Sequence, residues 1–213
     1  CMPGMYMVLH GEANDYVGKS MRGGQVIIAP PIKASFAAHK NTILGNTVLY
    51  GATGGLLFAS GCAGERFAVR NSGALAVVEG VGAHACEYMT GGLVVILGET
   101  GQNFGAGMTA GAAYVLDTDG MFPAHCNNEL VELQRISDPD EIEALRTIIQ
   151  WHHKKTRSWR ASQLLAEWSR MHRIFWRVSP RGTGDQEQAP TSTARDYVDA
   201  HTHHIELMGA AHL

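Results

Sequence analysis

Short apolar runs recur along the first half of the chain at a nearly constant spacing. Each run follows a turn-like segment, as in Thr90-Gly91-Gly92 before Leu93-Val94-Val95-Ile96. The hydroxyl residues that open the runs are Thr53, Ser72, Thr90 and Thr109, so the steps between them are 19, 18 and 19 residues. Helical-hairpin repeats are longer, about 33–47 residues, whereas this period suits one coil of a parallel β-solenoid.

An earlier copy of the same pattern precedes these four runs. Residues 21–28, MRGGQVII, align with residues 89–96, MTGGLVVI. The longer step from Arg22 to Thr53 indicates an insertion at about residues 30–40. We expect the recurring glycines at the corners of the coils, where φ is positive or where neighbouring backbones approach closely.

Stacking of the coils predicts which side chains face inward. Positions 57, 76, 94 and 113 are Leu, Ala, Val and Ala, and positions 59, 78, 96 and 115 are Ala, Val, Ile and Val. We expect both columns inside the solenoid. The column at 60, 79, 97 and 116 is expected to face outward, because burial of Glu79 without a partner would be costly. Val94→Asp should therefore be severe and Ser60→Asp mild.

The composition changes near residues 120–137. Of the 25 glycines, 22 precede residue 121, and all four tryptophans follow residue 150. Asp138-Pro139 then predicts a helix start, and Ser158 predicts the cap of a second helix. The apolar stripe of that second helix is expected at Leu164, Trp168, Met171 and Phe175.

These patterns divide the chain into three parts. We predict a β-helix domain at 1–136, helices packed on it at 137–180, and a tail at 181–213. The tail is predicted to be disordered, because the stretch GTGDQEQAPTSTA cannot bury apolar surface.

Charge and cysteine content exclude several classes of protein. The net charge of −3 implies no general attraction to nucleic acid, and the basic stretch at 146–181 is interpreted as the solvated face of a docked helix. No apolar run of about 18 residues predicts a membrane span, and no signal peptide opens the chain. Four cysteines without C-x-x-C spacing favour reduced thiols in the cytoplasm.

The sequence predicts no catalytic, cofactor-binding or metal-binding residues. Gly105, Gly107 and Gly111 lack the spacing of a dinucleotide fingerprint, and an extended run follows them instead of a helix. The densest polar stretch is Asn14–Lys19. The candidate contacts with neighbouring domains are Asn14, Asp15, Lys19, Arg70 and Asn71.

Several longer stretches carry a resemblance to a known family. They are GEANDYVGKSMRGGQVII at 11–28, GNTVLYGATGG at 45–55, AGERFAVRNSGA at 63–74, VVEGVGAHACEYMTGG at 77–92 and GETGQNFGAGMTAGAAYVLD at 98–117. Through them, residues 4–136 resemble the C-terminal glycine-repeat (GXGXG) domain of the glutamate synthase large subunit. A subunit of formylmethanofuran dehydrogenase shares that domain.

The resemblance implies an all-β fold, a right-handed parallel β-helix, followed here by a short helical region. It implies a non-catalytic scaffold that holds an amidotransferase domain and an FMN barrel with a 3Fe–4S cluster. The full enzyme converts glutamine and 2-oxoglutarate to two glutamates, and a small NADPH-oxidising FAD subunit is a further candidate partner. Cys1 does not inherit the amidotransferase nucleophile, which lies at the opposite end of the full subunit. A free-standing β-helix subunit of another oxidoreductase complex stays open as the alternative.

The two ends of the solenoid are expected to differ. The helices should dock back onto the solenoid, whereas Met5, Met7 and Leu9 should form an apolar patch that a preceding domain covers.

Overall fold

Six parallel strands stack coil upon coil in the computed structural model, which describes residues 1–31, 33–182 and 193–210. The short strand β3 (Thr42–Leu44) pairs with the end of β4. The insertion before it contains a 3-10 turn at Ala38–Lys40. The six stacked strands are β1 (Tyr6–His10), β2 (Arg22–Ala29), β4 (Gly54–Ala63), β5 (Ser72–Val81), β6 (Thr90–Ile96) and β7 (Ala110–Leu116).

The strand register confirms the period read from the sequence. Leu57 pairs with Ala76, Ala76 with Val94, and Val94 with Ala113. These residues, and those of the column at 59, 78, 96 and 115, all belong to one buried interior cluster. The predicted parallel solenoid and both inward columns are therefore confirmed.

Each coil also contains a turn, and the turns at 16–20, 47–51, 66–70, 84–88 and 103–107 lie one above the next; we call them the turn stack. In the turn at 66–70, Arg66, Ala68 and Arg70 have φ of 61°, 58° and 56°. Ala68 N donates to Val48 O in the preceding coil, and Arg70 N donates to Glu87 O in the following coil. Hydrogen bonds between coils thus hold a conformation that costs L-residues about 1–2 kcal/mol each.

The recurring glycines lie where the strands begin, and they fill the two roles that we expected, positive φ and close approach of neighbouring backbones. At Gly92, φ is +88° and an added Cβ would lie 2.3 Å from Asn71 Nδ2. At Gly91 an added Cβ would lie 2.3 Å from Ser72 O in the neighbouring coil. Close approach between coils is therefore the main reason for glycine at Gly91.

The C-terminal third forms helices and two antiparallel strands. The Asp138 carboxylate accepts from Asp140 N and the Ser158 hydroxyl accepts from Ala161 N, so both predicted helix caps are confirmed. The elements are α1 (Phe122–His125), β8 (Val131–Arg135), α2 (Pro139–Thr156), α3 (Trp159–Ala166), α4 (Trp168–Met171), β9 (Phe175–Pro180) and α5 (Ala194–Ala210), with a 3-10 turn at His172–Ile174.

Two expectations for this region are corrected. Phe175 begins strand β9 instead of ending a helical stripe, and β9 pairs antiparallel with β7 and β8. This pairing covers the C-terminal edge of the solenoid, which would otherwise expose unpaired backbone groups. In the tail that we expected to be disordered, residues 194–210 form α5; residues 183–192 and 211–213 lie outside the described part of the chain.

From β2 to β7 the sheet is buried on both faces, whereas β1 is largely exposed. Its inner face lines the solenoid, and its outer face packs under the C-terminal helices in a second apolar cluster. Leu164, Trp168, Met171 and Phe175 all belong to that second cluster, so the helices dock on the solenoid as expected. Within the described residues, no helix has the length and apolar character that a bilayer crossing requires.

Candidate functional site

The polar stretch at 14–19 lies at the exposed start of the turn stack. Asp15 Oδ1 accepts a hydrogen bond from Asn46 N at 2.7 Å, and therefore links two coils. Lys19 Nζ lies 5.1 Å from the centre of the Tyr16 ring. Asn14 is exposed, and no hydrogen bond of its side chain occurs among the described residues. Of the three candidates, Asp15 has a structural task of its own.

Arg70 and Asn71 lie two coils further along the same stack. Arg70 is exposed, but Asn71 is fully buried, which differs from its expected place at a domain contact. Asn71 Oδ1 accepts from Ala74 N, and Asn71 Nδ2 donates to Ala74 O, both at 2.9 Å. Asn71 therefore shapes the entry to β5, and its polar atoms are used within the coil.

A cavity of about 1090 Å³ lies at the other side of the molecule, between β1, the insertion and the corner where α2 meets α3. We call it the basic cavity, because five basic side chains line it in addition to His10 of β1. Apolar walls come from Val8, Phe36 and Trp159. The basic side chains are His39, Lys154, Lys155, Arg157 and Arg160.

Glu79 lies at the floor of the basic cavity and is 1% exposed, so the expectation that it faces solvent is wrong. Its column does point away from the solenoid interior, but the α2–α3 corner covers it. Glu79 Oε1 accepts from the hydroxyls of Ser60 and Ser158, and lies 3.4 Å from His152 Nε2. These partners from three elements make burial of a carboxylate tolerable.

Burial lowers the pKa of three basic side chains around the cavity. Desolvation is the main cause that lowers the pKa of Lys155, and the neighbouring Lys154 adds to it. Desolvation also lowers the pKa of Arg160, against an opposing effect of Glu79. Desolvation is also the main cause that lowers the pKa of His39, and the positive charge of Arg160 is the next. The site is thus rich in cations that lack full hydration.

Sequence reasoning missed the basic cavity and the cluster around Glu79. Two signals pointed toward them: one acid inside an otherwise apolar column, and an excess of Lys and Arg at 146–181. Neither signal contains the distance information that joins Glu79 to His152 and Ser158, which lie 73 and 79 residues away in sequence.

The structure places no metal centre on the described residues. No group of three or more His, Cys, Asp and Glu side chains in ranges 1–31, 33–182 and 193–210 converges in a way that could hold an ion. Cys62 donates a hydrogen bond to His39 O at 3.2 Å, and burial raises its pKa to about 11.

Comparison with protein families identifies the architecture. A family model described as the GXGXG motif matches residues 1–181, which run from the first coil to the end of β9. The chain belongs to the GXGXG family. Helix α5 lies beyond the part of the GXGXG domain that the model matches.

Similar proteins carry the GXGXG domain within much longer chains. The ferredoxin-dependent glutamate synthase 2 of Arabidopsis thaliana, described as chloroplastic, is 52% identical over 88% of this chain. Ferredoxin-dependent glutamate synthases of Antithamnion sp. and Synechocystis sp. are 53% and 52% identical over 83% and 88% of it. The chain spans only 12% of the length of each of these three relatives.

Proposed function

We propose that this chain is a non-catalytic scaffold domain of a glutamate synthase. The observation that carries the proposal is an identity of about half to ferredoxin-dependent glutamate synthases over most of this chain. In the full protein, glutamine and 2-oxoglutarate are converted to two glutamates, and this domain holds the amidotransferase and FMN domains in place. FMN and the 3Fe–4S cluster belong to those other domains.

The construction of the domain supports a holding role. Its sheet is covered on both faces from β2 to β7, and its strands and turn stack are both hydrogen-bonded from coil to coil. A domain built in this way is rigid, because packed interiors have low compressibility, and it can therefore keep neighbouring domains at fixed positions. For the electron donor we propose ferredoxin, following the names of the relatives, in place of the small NADPH-oxidising subunit.

Two finer points remain parts of the proposal. The division into a solenoid at 1–136 and a packed region at 137–180 marks a change of element type, while the outer apolar cluster joins both parts. A cytoplasmic location stays a prediction. The alternative of a free-standing subunit gains no support from relatives that contain the segment within a longer chain.

The exposed candidates on the turn stack are the proposed contacts with sister domains. The experiment combines Asn14→Ala, Lys19→Ala and Arg70→Ala in the full-length enzyme and leaves Asp15 intact, because its carboxylate links two coils. We expect a thermal midpoint lower by a few degrees, since exposed polar contacts contribute about 0.2–1 kcal/mol each. Glutamine hydrolysis and glutamate formation per folded enzyme should stay within about threefold.

A variant with Arg173→Ala removes an exposed charge elsewhere and serves as the control. It should leave both the thermal midpoint and the two activities unchanged. A loss of about 100-fold in turnover by the first variant, with normal stability, would assign a catalytic role to one of its residues and overturn the scaffold proposal.

A further inference from the structure

The first strand of the solenoid has an open edge beside the basic cavity. Among the described residues, β1 pairs only with β2. Gln25 N donates to Met5 O, and Gly11 N donates to Ala29 O. Because backbone groups alternate in direction along a strand, the N–H and C=O groups of Val8 and His10 point away from β2. The side chains of these same two residues line the cavity.

The cations beside this edge lack acidic partners. None of Lys154, Lys155 and Arg157 has a carboxylate within 4.0 Å in the described part of the chain. The Nζ atom of Lys155 is buried and has no hydrogen-bond acceptor there; its nearest aromatic contact is the Tyr6 ring, with 5.3 Å between Nζ and the ring centre. A desolvated ammonium without an anion is costly, so the site favours a carboxylate.

The size and walls of the basic cavity favour a polypeptide over a small molecule. Its volume of about 1090 Å³ lies at the upper limit of small-ligand pockets, which hold roughly 300–1,000 Å³. Trp159 and Phe36, which are 60% and 41% exposed, form an apolar rim beside the cations. An extended segment that pairs with β1 would point every second side chain into this space.

We propose that an extended acidic segment of the longer polypeptide adds to β1 as a further strand and places its carboxylates against Lys154, Lys155 and Arg157. Backbone hydrogen bonds to Val8 and His10 supply the register, and the cations select acidic side chains, as in other cases of strand addition. The inference rests on the proposed function only in requiring that this domain belongs to a longer chain.

The first test is zero-length cross-linking of the full-length enzyme with a water-soluble carbodiimide. This reagent joins an amine directly to a carboxylate in contact with it. Mass spectrometry should find Lys154 or Lys155 linked to an Asp or Glu that lies outside these 213 residues. Links only to acids of this chain, Asp185 and Glu187 included, or no links at all, would overturn the proposal.

The second test is hydrogen–deuterium exchange of peptides that cover β1, again in the full-length enzyme. Strand addition should protect the amides of Val8 and His10. Lys154→Glu should accelerate their exchange at least about tenfold, the change that corresponds to the loss of one charged contact. Arg173→Glu reverses an exposed charge away from the cavity and should change nothing.

The outcomes separate this inference from the scaffold proposal. Fast exchange of the Val8 and His10 amides in the unmodified enzyme would overturn strand addition, even if the cross-links form, because side-chain contact alone protects no backbone. The scaffold proposal would stand in that case, since it is decided by the stability and turnover of the turn-stack variant.

Discussion

The two faces of the solenoid sheet are both buried from β2 to β7, but their side chains are accommodated in different ways. The inner face stacks aliphatic residues of one coil on those of the next, and its columns at 57–113 and 59–115 contain no polar side chain. The outer face contains Gln25, Ser60, Glu79 and, in β7, Tyr114. Ser60, Glu79 and Tyr114 bond to partners, whereas the buried side-chain amide of Gln25 has none among the described residues. Glu141 of α2 accepts a hydrogen bond from the Tyr114 hydroxyl, and the Ser158 hydroxyl donates one to Glu79.

The difference follows from what each face packs against. Inside the solenoid, every side chain packs against the equivalent residue of the neighbouring coil. A polar residue there would therefore pack against an aliphatic one and find no hydrogen-bond partner. On the outer face, the helices present a non-repeating surface that can supply a specific hydrogen-bond partner. A buried carboxylate is therefore tolerated on the outer face of the sheet, where it has hydrogen-bond partners, and not on the inner face.

The largest effect expected is at the inner face. Val94→Asp would bury a carboxylate with no partner and cost several kcal/mol, comparable with a total domain stability of about 5–15 kcal/mol. Met7 occupies the same column through the pairs Met7–Val26 and Val26–Leu57, but it lies at the open end and is 48% exposed. Met7→Asp should therefore cost little. Denaturant unfolding of both variants tests the comparison, and equal costs would contradict it.

A smaller but still large effect is expected at Ser60, where the structure reverses our sequence-based prediction of a mild change. Ser60 is 4% exposed and its hydroxyl lies 3.2 Å from Glu79 Oε1. Ser60→Asp would place two buried carboxylates together and should cost about 3 kcal/mol or more. Ser60→Ala removes a single hydrogen bond and should cost about 1 kcal/mol. Similar melting temperatures for the two variants would show that the cover over Glu79 admits water.

The smallest effect concerns how well the outer cover excludes water from Cys62. Burial raises the pKa of this thiol from its usual value of 9.0 to about 11. Between those values the folded chain keeps the proton that the unfolded chain loses, so stability falls as pH rises from 9 to 11. Since the thiol is partly exposed, we expect a loss of about 1 kcal/mol or less at pH 10.

Cys62→Ser is the matched control for this pH dependence, because serine does not titrate in that range and can still donate to His39 O. The variant should lose less stability than the parent protein between pH 9 and pH 10. Identical pH profiles in denaturant unfolding would mean that Cys62 is hydrated in the folded state.

Predictability differed sharply between repeating and non-repeating parts of the chain. The register of Leu57, Ala76, Val94 and Ala113 could be read from the sequence, because each coil repeats the same local requirements. The strand at Phe175–Pro180 could not, since its apolar residues fit a helical stripe equally well. Only the open edge of β7 makes a strand the better choice there.

Helix α5 shows the same limit in the tail. The stretch GTGDQEQAPTSTA before this helix led us to predict disorder for the whole tail. In α5, however, Ala194 and Ile205 are buried against the outer cluster, and Tyr197 donates to Gly73 O at 3.3 Å. Most helical stability in proteins comes from packing of an apolar face, so the contacts with the outer cluster hold α5 in place more than its own helix propensity does.

The sequence by itself determined the period, the parallel stacking, the inner columns and both helix caps, because these depend on residues that are close in the chain or recur at a fixed step. The tertiary structure alone decided that Glu79 is buried with Ser158 and His152, that β9 closes the solenoid, and that five basic side chains gather beside the open edge of β1. Contacts across more than 70 residues depend on where the helices dock, and no local pattern encodes that choice.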